Sequence, residues 1–136
     1  MSYLLDTNVV SELRKAARGH ARVRAWFESV DEDALFLSVL VVGELHQGIE
    51  RIRRRDAASA GHLDRWLTRL VEDHADRILP VDHATASLWG KLNVPSPLPT
   101  VDGLLAATAM VHDLTLVTRN VKDVRRTGVR LLDPFS

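Results

Sequence analysis

An apolar run, Tyr3-Leu4-Leu5, stops abruptly at the carboxylate Asp6, and Val9, Val10, Leu13, Ala16 and Ala17 then recur at helical spacing. The pattern predicts a short buried strand running into a helix, with Thr7 or Asn8 as the cap. Past Gly19, Val23, Trp26, Phe27 and Val30 fall at i, i+3, i+4 and i+7, the apolar stripe of a second helix. After the acidic triplet Asp31 to Asp33, the run Ala34 to Ser38 reads as a buried strand, and Ser38 can cap the next helix.

That third helix places Val42, Leu45, Ile49 and Ile52 on one side, with Val41, Glu44 and Gly48 on a neighbouring stripe. It runs into Arg51, Arg53, Arg54 and Arg55. A fourth amphipathic helix carries Leu63, Trp66, Leu67, Leu70 and Val71, so the two should form a hairpin. Ile78 to Val81 is a short strand; Pro80, which cannot donate to a ladder, puts it at a sheet edge or a strand end.

Asp82 can cap a fifth helix containing Thr85, Leu88, Trp89 and Leu92. Residues 93–99, with three of the five prolines, read as an extended connection, long enough at roughly 23 Å to return the chain along the height of a domain. A sixth helix from about Val101 to His112 is rich in alanine and suits close packing on a sheet. Leu114 to Thr118 is the next strand, a turn or short helix runs through Asp123, and Val129 to Leu132 closes the sheet.

Strands alternating with helices predict an α/β fold of three layers, α/β/α, around a central, mostly parallel sheet of about five strands. At 136 residues and 46% hydrophobic content the chain is expected to form one domain over residues 1–136. No apolar run is long enough to span a bilayer and the first residues lack a signal-peptide pattern, so a cytoplasmic protein is expected. The absence of cysteine removes disulfides, thiolate metal sites and cysteine nucleophiles. Eighteen basic residues balance eighteen acidic ones, so nucleic-acid contact would have to come from local clustering.

In a parallel sheet the carboxyl ends of strands and the amino ends of the helices after them share one edge, where open α/β sheets gather their ligands. Asp6, Glu44, Asp102, Asn120 and Asp123 all map to that edge. Carboxylates crowded there repel one another, and either protonation or a bound cation must relieve the repulsion, a hard divalent metal being the economical answer. An oxygen-only ligand set suits Mg²⁺ or Mn²⁺, and such sites hydrolyse phosphodiesters. Taken singly, each acid has a plainer reading as a turn residue, a cap or an exposed helical position. Thr7, Asn8, Ser11 and Thr118 are candidates for orienting the carboxylates or for capping, and Arg119 for phosphate contact. The six dispersed histidines form no zinc-like i, i+4 pair.

The combination of Asp6-Thr7-Asn8, Glu44-Leu45 with Gly48, Asp102 within Thr100 to Ala109, and Thr118-Arg119-Asn120-Val121-Lys122-Asp123 resembles the PIN-domain ribonucleases. Within them it is most similar to VapC-type toxins of type II toxin-antitoxin pairs, along essentially the whole chain. The resemblance implies a Mg²⁺- or Mn²⁺-dependent endoribonuclease, dimeric within a larger complex and silenced by a VapB-type antitoxin whose tail occupies the acidic groove. Operator DNA would be reached only through that antitoxin, and no membrane is involved. It assigns Asp6, Glu44 and Asp102 as metal ligands and catalytic residues.

The fourth acidic position departs from the family pattern. Asn120 stands where many PIN domains carry aspartate, leaving Asp123 to complete the set directly or through water. Val124 stands where relatives commonly have phenylalanine, a packing variation. Three other readings compete, one of them a phospho-acceptor receiver domain, which Asn8 and the lack of a paired acid beside Asp6 weaken. A haloacid-dehalogenase-like phosphatase would want a second aspartate at position 8, where this chain has Asn8. A non-catalytic PIN scaffold would act only through an antitoxin-bound, DNA-binding complex, and the retained acids argue against it.

Overall fold

The computed structural model describes residues 1–136. Five strands, β1 (Tyr3–Leu5), β2 (Leu35–Ser38), β3 (Ile78–Leu79), β4 (Thr115–Val117) and β5 (Leu131–Leu132), form one sheet in the order β3-β2-β1-β4-β5. Every pairing is parallel. Seven α-helices flank the sheet: α1 (Thr7–Arg14), α2 (Ala21–Glu28), α3 (Val39–Arg53), α4 (Ala57–Asp73), α5 (His83–Leu92), α6 (Thr100–Val111) and α7 (Val121–Val124). The three-layer α/β/α arrangement expected from the alternation is the one observed. The Pro80-limited strand β3 lies at the sheet edge, where a missing donor costs no ladder bond.

β1 occupies the middle of the sheet, with Tyr3 in register with Leu35 on one side and Thr115 on the other. This explains its uninterrupted apolar run, since both faces are covered. Leu4, Leu35, Leu37, Leu116 and Val117 are essentially inaccessible and merge with Val9, Val10, Val41 and Leu105 of the helices into one core. Truncating a fully buried leucine such as Leu4 to alanine would cost about 2–5 kcal/mol. Trp26 and Trp66 pack against this core, and Trp26 meets Tyr3 edge to face at 5.2 Å.

Several local expectations are corrected. The cap of α1 is Asp6, not Thr7 or Asn8: Asp6 leaves β1 in an extended conformation and its Oδ1 accepts the Thr7 N–H at 2.7 Å. Its carbonyl also accepts the N–H groups of Val9 and Val10. The side chains of Thr7 and Asn8 are thereby released for other partners. Helix α1 stops at Arg14, and Ala16, at φ 49°, turns the chain into a 3₁₀ segment, so Ala16 and Ala17 lie outside the helix. In α3 the buried line is Val41, Leu45 and Ile49, with Val42 and Ile52 half-buried beside it.

Residues 93–99 are bent rather than extended. Asn93 Oδ1 accepts the Leu98 N–H at 2.8 Å, closing the segment on itself, while the prolines contribute no N–H to be satisfied. The start of α6 therefore packs beside the last turn of α5. A Cβ at Gly103 would lie 3.2 Å from both Leu98 and Trp89, so glycine permits this approach.

Candidate active site

All four acids expected at the carboxyl edge of the sheet arrive there, each for a traceable local reason. Asp6 ends β1 and caps α1. Ser38 ends β2, accepts the Leu40 N–H at 3.0 Å and so starts α3, which puts Glu44 in its second turn. Asp102 is in the first turn of α6, and Asp123 is in α7 after β4.

Asp6 is the most enclosed of the four, only 5% exposed. Its Oδ1 takes the Thr7 N–H, and its Oδ2 takes the Thr118 hydroxyl at 2.7 Å and the Asn8 amide at 3.4 Å. The Thr7 hydroxyl turns the other way and donates to Glu44 Oε1 at 2.5 Å. Thr118 Oγ1 in turn accepts the Asn120 N–H at 3.0 Å, and Asn8 Oδ1 accepts the Arg119 N–H at 3.4 Å. One hydrogen-bonded line thus ties Glu44, Thr7, Asp6, Thr118 and Asn120 together. Of the predicted orienting residues, Thr7, Asn8 and Thr118 take part. Ser11 instead lines the adjoining trench with Thr7 and Glu44.

The electrostatics follow from burial and crowding. Desolvation pushes the Asp6 carboxyl above its ordinary value, with repulsion from Glu44 adding to this and the Thr118 and Thr7 hydrogen bonds opposing it. Asp102 is pushed up to about 6, first by desolvation and then by repulsion from Asp6, Asp123 and Glu44, with the Asn120 side chain offsetting a part. Asp102 therefore feels the charge of the other three acids. None of them forms an ion pair with a lysine or arginine.

Four carboxylates gathered at one sheet edge, none of them ion-paired, suit a hard divalent ion held by oxygen. They do not close into a tight three-residue cage. A Mg²⁺-like ion needs only one or two direct carboxylates and keeps several waters. The donors available to it are the carboxylate oxygens of Asp6, Glu44, Asp102 and Asp123. Asn120, exposed beside Asp102, offers only a neutral amide. Val124 is fully buried, consistent with a packing role at that position.

Two residues escape a reading by motif. Arg14 lines the trench that leads from Thr7 and Glu44 towards Ile52, Leu63 and Trp66. Its spacing of seven from Thr7 and three from Ser11 on one helix is the signal that finds it. Phe135 lies under the Arg119 guanidinium, 4.3 Å from ring centroid to carbon, and no periodicity in the chain points to that contact.

The chain belongs to the PIN domain family, whose model matches residues 3–129. It is 30% identical to the toxin FitB of Neisseria gonorrhoeae over 97% of each chain. It is 29% identical to the VapC ribonuclease Y4jK of Sinorhizobium fredii over 97% of this chain and 96% of that one. A solved structure of FitAB bound to an IR36 DNA fragment superimposes with a TM-score of 0.89 at 27% identity, covering 98% of this chain and 96% of that one.

Proposed function

We propose that this chain is a Mg²⁺- or Mn²⁺-dependent endoribonuclease toxin, held in check by an antitoxin of the VapB type. The observation that carries the reading is the unpaired acidic cleft: Asp6 buried and fixed by Thr118, with Glu44, Asp102 and Asp123 within electrostatic reach and no basic side chain neutralising them. Its likeness to a toxin and to a VapC ribonuclease over nearly its whole length supports the same reading.

The chain's own residues prepare the cleft. The hydroxyl protons of Thr118 and Thr7 are committed to Asp6 and Glu44, which leaves the remaining carboxylate lone pairs free to accept. Asp6, Glu44 and Asp102 would hold the cation, one or two of them directly and the rest through its waters, with Asp123 completing the set. When bound, the ion supplies a water of lowered pKa and neutralises charge developing on the scissile phosphate. Asp6 cannot swing away, since both of its oxygens are tied. Arg119 and Asn120 flank the acids and are exposed to solvent.

The antitoxin would cover this acidic cleft. Operator DNA would be bound only through it, in keeping with the DNA-bound FitAB structure, and the toxin would act as a homodimer within that complex. No helix is long and apolar enough to cross a membrane, and we place the protein in the cytoplasm, where its RNA substrate lies.

Expression of the chain alone in a bacterial host tests the reading. Growth should stop with fragmentation of cellular RNA, Asp6→Ala should abolish both effects, and co-expression of a cognate antitoxin, to be sought in the adjacent reading frame, should relieve them. Arrest that persists undiminished in Asp6→Ala would refute it.

A further inference from the structure

Arg119 lies between Thr118, which holds Asp6, and Asn120, which faces Asp102, and its own N–H is bonded to Asn8. It carries an exposed guanidinium one residue along the chain from groups that bond Asp6 and Asp102. That guanidinium forms no ion pair and donates no side-chain hydrogen bond to the protein; it lies on the face of Phe135 instead, at 4.3 Å. Stacking on an aromatic face satisfies the cation without using any of its five N–H donors.

The ring is itself held from several sides. His20 meets it at 5.1 Å and 66°, and the His20 N–H is anchored on Glu12 Oε1 at 3.0 Å. Asp133 Oδ1 accepts the Phe135 N–H at 2.9 Å and fixes the tail that carries the ring. Phe135 thus bridges the loop before α2 and the loop after β4.

Building on the nuclease reading, we propose that Arg119 is the phosphate clamp for the RNA strand and that Phe135 is its positioning residue. With the guanidinium on the ring and paired with no carboxylate, the acids keep their charge for the cation. The ring also limits the rotamers of Arg119 before RNA arrives, so less freedom is lost on binding. The fork of N–H donors matches the oxygens of a phosphodiester.

Steady-state cleavage of a short oligoribonucleotide with Mn²⁺ tests this at several salt concentrations, with wild type, Arg119→Ala, Arg119→Lys, Phe135→Leu, Phe135→Tyr and Arg119→Ala/Phe135→Leu. Arg119→Ala should raise KM about ten-fold with kcat little changed. It should also lower the slope of log KM against log salt by about 0.7, one phosphate's worth on a single strand. Arg119→Lys should keep the salt slope but lose part of the affinity. Phe135→Leu should raise KM about two- to five-fold, and Phe135→Tyr, which keeps the ring, should restore it.

In the Arg119→Ala background, Phe135→Leu should add nothing to KM. A merely structural ring would lower stability and raise KM alike in both backgrounds, and that result overturns the positioning role. Wild type that cuts while Arg119→Ala keeps the wild-type KM and salt slope overturns the clamp alone. The oligoribonucleotide carries a cut site mapped in total cellular RNA; wild type that leaves total cellular RNA intact with Mn²⁺ refutes the nuclease reading, and the clamp with it.

Discussion

Thr118 Oγ1 donates to Asp6 Oδ2 at 2.7 Å, joining the ends of β4 and β1 across 112 positions of sequence. Both residues are almost fully buried, so the hydroxyl compensates a carboxylate that burial disfavours. The same two strands are neighbours in the sheet, and the Asp6 N–H continues their ladder by donating to the Val117 carbonyl at 2.9 Å. Backbone and side chain alike therefore tie Asp6 to the neighbouring strand, beside the bonds from Thr7 and Asn8 in its own segment.

Thr118→Val keeps the shape and removes the donor. Unfolding in urea at pH 7.5 should show a loss of roughly 2 kcal/mol, the value of a hydrogen bond to a charged group. Because the bond favours the charged carboxylate, its loss lifts the folded-state pKa of Asp6 further above the unfolded value. Part of the stability should then return on acidification, as the carboxyl gains its proton.

Asp102 gives a pH signature of its own. Its folded pKa of about 6 lies above the ordinary 3.8, so the folded state binds the proton more tightly and this group's contribution falls as pH rises from about 4 to about 6. Asp102→Asn should accordingly make the metal-free protein more stable than wild type at pH 7.5. With the residue half-exposed and screened by solvent, the gain should be about 1 kcal/mol. The difference should vanish below pH 4, where both states of the wild-type carboxyl are protonated.

A cation should reverse that penalty. Mn²⁺ or Mg²⁺ at a hundredfold excess over its Kd should stabilise wild type by about 2.7 kcal/mol. The accompanying rise in Tm should be lost in Asp6→Asn. An equal rise in that variant would place the ion elsewhere.

Gly19 sets the entry to α2. A Cβ there would stand 2.4 Å from the Glu12 carbonyl oxygen, a backbone atom that cannot move aside cheaply. Gly19→Ala should cost about 1–3 kcal/mol in urea unfolding, typical of overpacking. Its heteronuclear NMR spectrum should show shifts at His20 and Phe135, which pack beyond it.

The convergence of Asp6, Glu44, Asp102 and Asp123 was legible in the sequence because it comes from topology: once the elements alternate, strand ends and helix starts share an edge. The buried run Tyr3–Leu5 and the caps Ser38 and Asp82 were legible for the same local reason, an apolar period bounded by a side chain that accepts a helix N–H. Asp6 serving as both cap and site residue was not. Its neighbours Thr7 and Asn8 are equally good caps by chemistry, and only the extended exit from β1 decides among them. The bend at residues 93–99 depends on one Asn93 side chain meeting Leu98, which proline content alone does not reveal. Phe135 was illegible as part of the site, since its contact with Arg119 depends on the path of the tail after β5 and on no periodic pattern.

The most direct measurement is digestion of total cellular RNA by purified, antitoxin-free protein with Mg²⁺ or Mn²⁺, beside Asp6→Ala and an EDTA control. Discrete fragments that require both intact Asp6 and the metal are predicted, and their ends would name the target. Intact RNA in the presence of folded, metal-loaded protein would contradict the nuclease account and favour a scaffold acting through its antitoxin. Cleavage that survives Asp6→Ala or EDTA would contradict the assignment of the acidic cleft.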